Sequence, residues 1–83
     1  MRLFAPAYSQ EALAALISAG RSRRKLALVA VDHLCRFPIR QANAQILDPE
    51  NRMCQLLLID DVVLTYWVDD AAAEIRIIAI EWT

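Results

Sequence analysis

Few side chains in this 83-residue chain could do chemistry, and their spacing is informative. His33 is the single histidine, and Asp32 beside it suggests a base with its orienting carboxylate. Neighbouring helix residues point about 100° apart, so these two do not form such a pair. A lone histidine on a mostly apolar face is a structural residue far more often than a ligand. No two further metal-type side chains stand at helical or hairpin spacing beside it, so no metal and no other cofactor is assigned. Asp60, Asp61, Asp69 and Asp70 form two acidic pairs that would suit a divalent cation only if they met. They read as the two turns of a meander, at opposite ends of its middle strand and about 20 Å apart, so they are turn residues first. One glycine in the whole chain leaves no glycine-rich phosphate loop.

Cys35 and Cys54 lack CxxC spacing and lie in apolar segments, which reads as buried free thiols and a reducing, cytoplasmic setting. Arg76 is the one basic residue inside the last predicted strand. Tyr66 is expected to be a core aromatic with its hydroxyl at an edge. The densest charge feature is Arg21, Arg23, Arg24 and Lys25 at the start of a helix, where the dipole disfavours positive charge. A nucleic acid or an acidic partner are the candidate contacts for this cluster, and a solvated helix end is the preferred reading.

The elements that must position these residues follow from periodicity and punctuation. Arg2 to Ala5 reads as a short strand ended by Pro6. Ser9 is a good N-cap, Glu11 suits the positive end of a helix, and Leu13, Leu16 and Ile17 recur at helical spacing until Gly20, predicting a helix over about residues 10–19. A second helix begins near Ser22. Leu26, Val29, Ala30, His33 and Phe37 follow its period, Leu28, Val31, Leu34 and Cys35 widen the apolar face, and Pro38 closes it. With about three residues between them, the helices should pack as an antiparallel hairpin. Residues 38–52 read as a connection with a turn at Asp48-Pro49-Glu50-Asn51. Three strands follow, Met53–Ile59, Val62–Val68 and Glu74–Trp82, with connections short enough to demand antiparallel hairpins. The fold class is α+β: a short N-terminal strand, an antiparallel helical hairpin, then a three-stranded antiparallel meander, all in one domain spanning residues 1–83.

Composition narrows the function classes. The chain is 58% hydrophobic with nine Lys/Arg against ten Asp/Glu, a net charge of −1 that argues against a protein holding nucleic acid mainly by neutralising phosphates. The start has no signal-like region, and no run reaches the ~18 apolar residues of a membrane span, so no membrane partner is expected. For a small domain the chain is too apolar, and part of that excess must be covered by another chain.

The order of elements, with RLFAPAYSQEALAAL at the front, VAVDHLCRFP closing the second helix, and LIDDVVLTYWVDD followed by EIRIIAIEW at the back, resembles the RelE/ParE toxin superfamily over nearly the whole chain. The resemblance implies a type II toxin–antitoxin protein, of the kind that includes plasmid-stabilisation systems. The family's ribonucleases use arginines and lysines on an open sheet face and a tyrosine or histidine near the C-terminus. Here the matching positions hold Leu56, Leu58 and Val63, and the chain ends on Trp82 and Thr83. An acid–base ribonuclease needs a cation for its transition state and groups to move protons. A gyrase-directed or non-catalytic member therefore fits better than a ribonuclease.

Strict alternation puts Leu57, Ile59, Val62, Leu64, Tyr66, Val68, Ile75, Ile77 and Ala79 on one sheet face. Leu56, Leu58, Val63, Thr65, Trp67, Ile78, Ile80 and Trp82 fall on the other. Two helices cover only one face, so the second is expected to meet a partner, with Leu56, Leu58, Val63, Trp67 and Trp82 as its binding residues. The partner is either an antitoxin or a second copy in a homodimer. The expected function is a toxin-like protein that binds a cellular target and is neutralised by an antitoxin; the alternative is a non-toxic, degenerate member acting as a self-associating binding module.

Overall fold

A computed structural model describes residues 3–83, which form the order β1 (Ala5–Tyr8), α1 (Gln10–Ser18), α2 (Arg21–Arg36), β2 (Ala44–Leu47), β3 (Met53–Ile59), β4 (Val62–Asp69) and β5 (Glu74–Trp82). The expected β3-β4-β5 meander is present, but it is the middle of a five-stranded mixed sheet ordered β1-β5-β4-β3-β2. Two strands extend it. β2 lies inside the stretch read as a connection and pairs antiparallel with β3. Four residues between Asn43 and Asp48 are too few to show a period, and their strand character comes from the turn that folds them onto β3. In that turn Asp48 Oδ1 accepts from the backbone N–H of Glu50 (2.9 Å) and Arg52 (2.7 Å), while Asn51 adopts φ 62°.

The other addition is β1, which pairs parallel with β5. The strand expected over Arg2–Ala5 begins at Ala5 instead and contains Pro6; Arg2 lies outside the described residues. Ala5 N–H donates to Ala73 O and Ser9 N–H to Ile77 O, so alternate residues bond inward and the proline, which lacks an N–H, falls on the free side of an edge strand.

Ser9 caps α1 as expected, its Oγ accepting from Ala12 N–H at 3.0 Å. Gly20 does not end α1 in a left-handed conformation. It has φ −65° and ψ 163° and is the N-cap residue of α2. The last carbonyls of α1 are instead satisfied from the next helix: Arg24 Nε donates to Leu16 O (2.9 Å), and Nη2 to Ile17 O (3.2 Å) and Ala19 O (3.0 Å). One member of the basic cluster is thus a helix cap, favoured by the negative end of the dipole. The inward face of α2 is centred on Ala27, Ala30, Val31, Leu34 and Cys35, whereas Leu26, Leu28, Val29, His33 and Phe37 of the expected stripe are exposed. Two alanines let the helix backbone approach the sheet, and that close contact outweighs the larger side chains one step round the helix.

A bulge decides which strand residues join the core. Thr65 pairs with Ala79 and Tyr66 with Ile77, so Ile78 is an extra, unpaired residue in β5. Beyond it the alternation is reversed: Ile80 is buried beside Leu64, and Trp82 packs against the core opposite Val62. The carbonyl that the bulge releases is taken up at once, because Ser9 Oγ donates to Ile78 O at 2.6 Å. The start of α1 and the irregularity in β5 are therefore one construction. Both helices pack chiefly on β5 and β1, over a core that includes Ala12, Leu16, Leu34, Leu57, Leu64, Tyr66, Ile75 and Ile77.

Candidate functional site on the open sheet face

The face of the sheet opposite the helices carries Leu56 and Leu58 from β3, Val63, Thr65 and Trp67 from β4, and Arg76 from β5. Cross-strand pairing joins Leu56 to Thr65, Leu58 to Val63 and Trp67 to Arg76. Four of the five residues expected to bind a partner thus share a face, with Leu58 59% exposed and Leu56, Val63 and Trp67 half-buried. Trp82 does not belong with them. The bulge at Ile78 turns its ring to the helix side, where its Nε1 donates to Arg23 O at 2.8 Å. Ile80, also assigned to the open face by strict alternation, is in the core for the same reason.

On this face Trp67 has two guanidiniums beside its ring, with Arg52 4.4 Å and Arg76 5.5 Å from its centroid. By sequence Arg52 falls in a connection. Its place follows from the turn before β3, and only the signal of that turn, Asp48 to Asn51, is legible in the amino-acid order. A hollow of about 170 Å³ beside the stack is lined by Ala7, Arg52, Trp67, Arg76 and Ile78 among others. The Trp67 Nε1–H is buried and finds no acceptor among the described residues.

Both arginines are already paired. Arg52 contacts Glu50 at 2.8 Å, and Arg76 contacts Asp69 at 3.0 Å and Glu74 at 2.9 Å. The Ala72 backbone N–H first, then Arg76, hold the Asp69 carboxyl below its usual range. Two guanidiniums thus face three carboxylates, which gives the face no net positive potential for tracking a phosphate backbone.

The remaining candidates take structural positions. Tyr66 is fully buried, its hydroxyl donates to Ile39 O at 2.7 Å, and burial pushes its pKa up to about 12. It therefore cannot move protons for a substrate on the open face. His33 is exposed and lies with its ring centroid 5.4 Å from that of Phe37. Asp60 and Asp61 form the β3–β4 turn with φ 47° and 66°, while Asp69 ends β4 and Asp70 begins the β4–β5 turn. Asp70 is bound by Arg40 at 2.6 Å. Cys35 and Cys54 are buried free thiols, and burial, followed by the nearby Asp32 and Asp48 respectively, pushes both thiols up. No three His, Cys, Asp or Glu side chains cluster for a metal among the described residues. No helix there is long and apolar enough to cross a membrane. Arg21, Arg23 and Lys25 remain exposed at the start of α2.

No family model and no curated protein matches the chain by sequence. Solved structures match it by shape. The intact E. coli RelBE toxin–antitoxin complex contains a chain that superposes with TM-score 0.72 at 14% identity, covering 96% of both chains. The fold is that of the RelE toxins. The RelBE2 toxin–antitoxin complex of Mycobacterium tuberculosis gives TM-score 0.76 at 19% identity, covering 100% of this chain and 94% of the other. The isolated E. coli RelE toxin gives 0.71 at 18%, covering 96% and 84%. The RelE-like architecture expected from the order of elements is therefore present, with a mixed five-stranded sheet in place of a short N-terminal strand and a three-stranded antiparallel meander.

Proposed function

We propose that this protein is the toxin-like member of a type II toxin–antitoxin pair, a cytoplasmic single-domain protein that acts by binding a cellular target. An antitoxin segment laid across the open sheet face neutralises it. The observation that carries this reading is the face itself: Leu56, Leu58, Val63 and Trp67 form an uncovered apolar surface whose two arginines are held by carboxylates. Such a surface suits a protein segment better than a nucleic acid, since it offers apolar side chains and an aromatic ring beside arginines whose charge is already balanced. The RelE-like fold supports the reading, because two of the similar structures are toxin–antitoxin complexes. The same surface would serve the non-toxic, self-associating alternative.

The test is induced expression of the chain alone and together with each reading frame that flanks its gene. Growth arrest relieved by one flanking frame, and restored when Trp67→Glu is introduced into the antitoxin-bound chain, supports the proposal. Unimpeded growth with no flanking product co-purifying would refute it.

A further inference from the structure

We propose that the outer edge of β2 pairs antiparallel with β2 of a second copy, joining two sheets across a two-fold axis. The inference stands on the edge strand alone and does not depend on the toxin-like reading.

The two sheet edges differ. β1 carries Pro6, whose missing N–H blunts the free side. Ala44–Leu47 has no proline and no charge, and all four residues are exposed. Edge strands left bare in this way are templates for strand addition. The hydrogen-bond phase is set by the turn: Asp48 N–H donates to Arg52 O at 2.9 Å, so Asp48 and Arg52 are a bonded pair. Bonded and non-bonded pairs alternate in an antiparallel ladder, so Ala44 and Ile46 bond inward to Leu56 and Cys54. Gln45 and Leu47 therefore turn their backbone N–H and C=O groups outward.

A second copy matches this edge. With Ile46 on the two-fold, Gln45 stands opposite Leu47 of the second copy and each such pair exchanges two backbone hydrogen bonds. No charge opposes a like charge within the strand, so self-pairing carries no electrostatic penalty. The same register brings together the apolar groups that the helices leave bare at this end: Ile46, 41% exposed, on the open face, and Leu47 (59%) with its cross-strand neighbour Met53 (50%) on the helix side. The contact is isologous and closes as a dimer. Four residues a side bury less than the roughly 1,200 Å² of a standard interface, so the dimer is weak, with a dissociation constant on the order of 10 µM to 1 mM.

The experiment is sedimentation equilibrium of the wild-type chain under reducing conditions from about 10 µM to about 1 mM, which spans the expected constant. The expected result is a shift from monomer to dimer that is lost in Leu47→Pro, a change that removes an outward donor and spares the ladder to β3. The second arm is cysteine cross-linking. At a non-bonded pair on the two-fold, Cα atoms lie about 4.5 Å apart, within disulfide range, so Ile46→Cys should form an oxidised dimer. Leu58→Cys, on the open face and more exposed than Ile46, should stay monomeric; both variants also carry Cys54→Ala, because Cys54 is the cross-strand partner of Ile46 and would otherwise pair with the new thiol inside one chain, while Cys35 is buried. If Leu47→Pro lowers the melting temperature sharply, the cysteine pair decides alone. A wild-type chain that stays monomeric to about 1 mM, a folded Leu47→Pro variant that still dimerises, or cross-linking at Leu58→Cys and not at Ile46→Cys would each overturn the proposal.

Discussion

The two tryptophans provide the sharpest test of the fold, because strict alternation puts them on one face and the bulge puts them on opposite faces. Trp82 packs against the core and donates its indole N–H to Arg23 O, tying the last strand to the start of α2. Truncating a packed tryptophan to alanine costs about 3–5 kcal/mol when fully buried. Trp82 is only partly buried, so about 2–4 kcal/mol is expected, its exposed hydrogen bond included. Trp67 has solvent on one side and two guanidiniums as neighbours, contacts worth about 0.5–1 kcal/mol at exposed sites. Its removal also deletes a buried N–H that has no acceptor among the described residues, which offsets part of the loss. Trp67→Ala should therefore cost about 1 kcal/mol or less.

In a domain of this size, 1 kcal/mol moves the melting temperature by roughly 4–8 °C, so Trp82→Ala should melt about 10–25 °C lower and Trp67→Ala within several degrees of wild type. Thermal and urea melts by far-UV circular dichroism measure both without relying on either indole. Equal losses, or a larger loss at Trp67, would refute the bulge and return Trp82 to the open face.

Ser9→Ala removes an N-cap and leaves Ile78 O without its partner, so about 1.5–3 kcal/mol should be lost, more than a solvent-facing cap alone contributes; a urea series checks it. Arg24→Ala should destabilise by about 1–2 kcal/mol through the α1 carbonyls, whereas joint replacement of Arg21, Arg23 and Lys25 by Gln should leave the melt within about 0.5 kcal/mol of wild type. If that triple variant also loses a salt-sensitive association with a nucleic acid or an acidic protein, the cluster is a contact surface and not a solvated end. The purified protein should not cut messenger RNA on programmed ribosomes; specific cuts that disappear in Arg76→Ala would contradict this. Asp69 has a depressed folded-state pKa, so its contribution is present above the ordinary carboxylate pKa and is lost as acid protonates it below about pH 4; Asp69→Asn should flatten that part of the acid unfolding curve.

Local signals carried much of the architecture. Ser9, Pro38, the two aspartate pairs and the turn at Asp48 mark element ends because each acts through its own side chain or backbone preference within a few residues. The three long strands were legible because their residues suit a half-buried pleated surface and their connections permit only hairpins. The outward phase of α2 was not legible, since Leu26, Val29 and Phe37 form as good a helical stripe as Ala27, Val31 and Leu34, and only contact with the sheet selects between them.

The site divides in the same way. Leu56, Leu58, Val63 and Trp67 share a face by the two-residue period of regular strands, which the amino-acid order determines by itself. Arg52 reached the face through a turn, Pro6 entered a strand because a parallel neighbour needs no donor on its free side, and Trp82 left the face because Ile78 adds one residue to β5. A bulge has no local signature in an apolar strand; it is stabilised here by Ser9, 69 residues away in the chain, and such a long-range hydrogen bond exists only once the tertiary structure has formed.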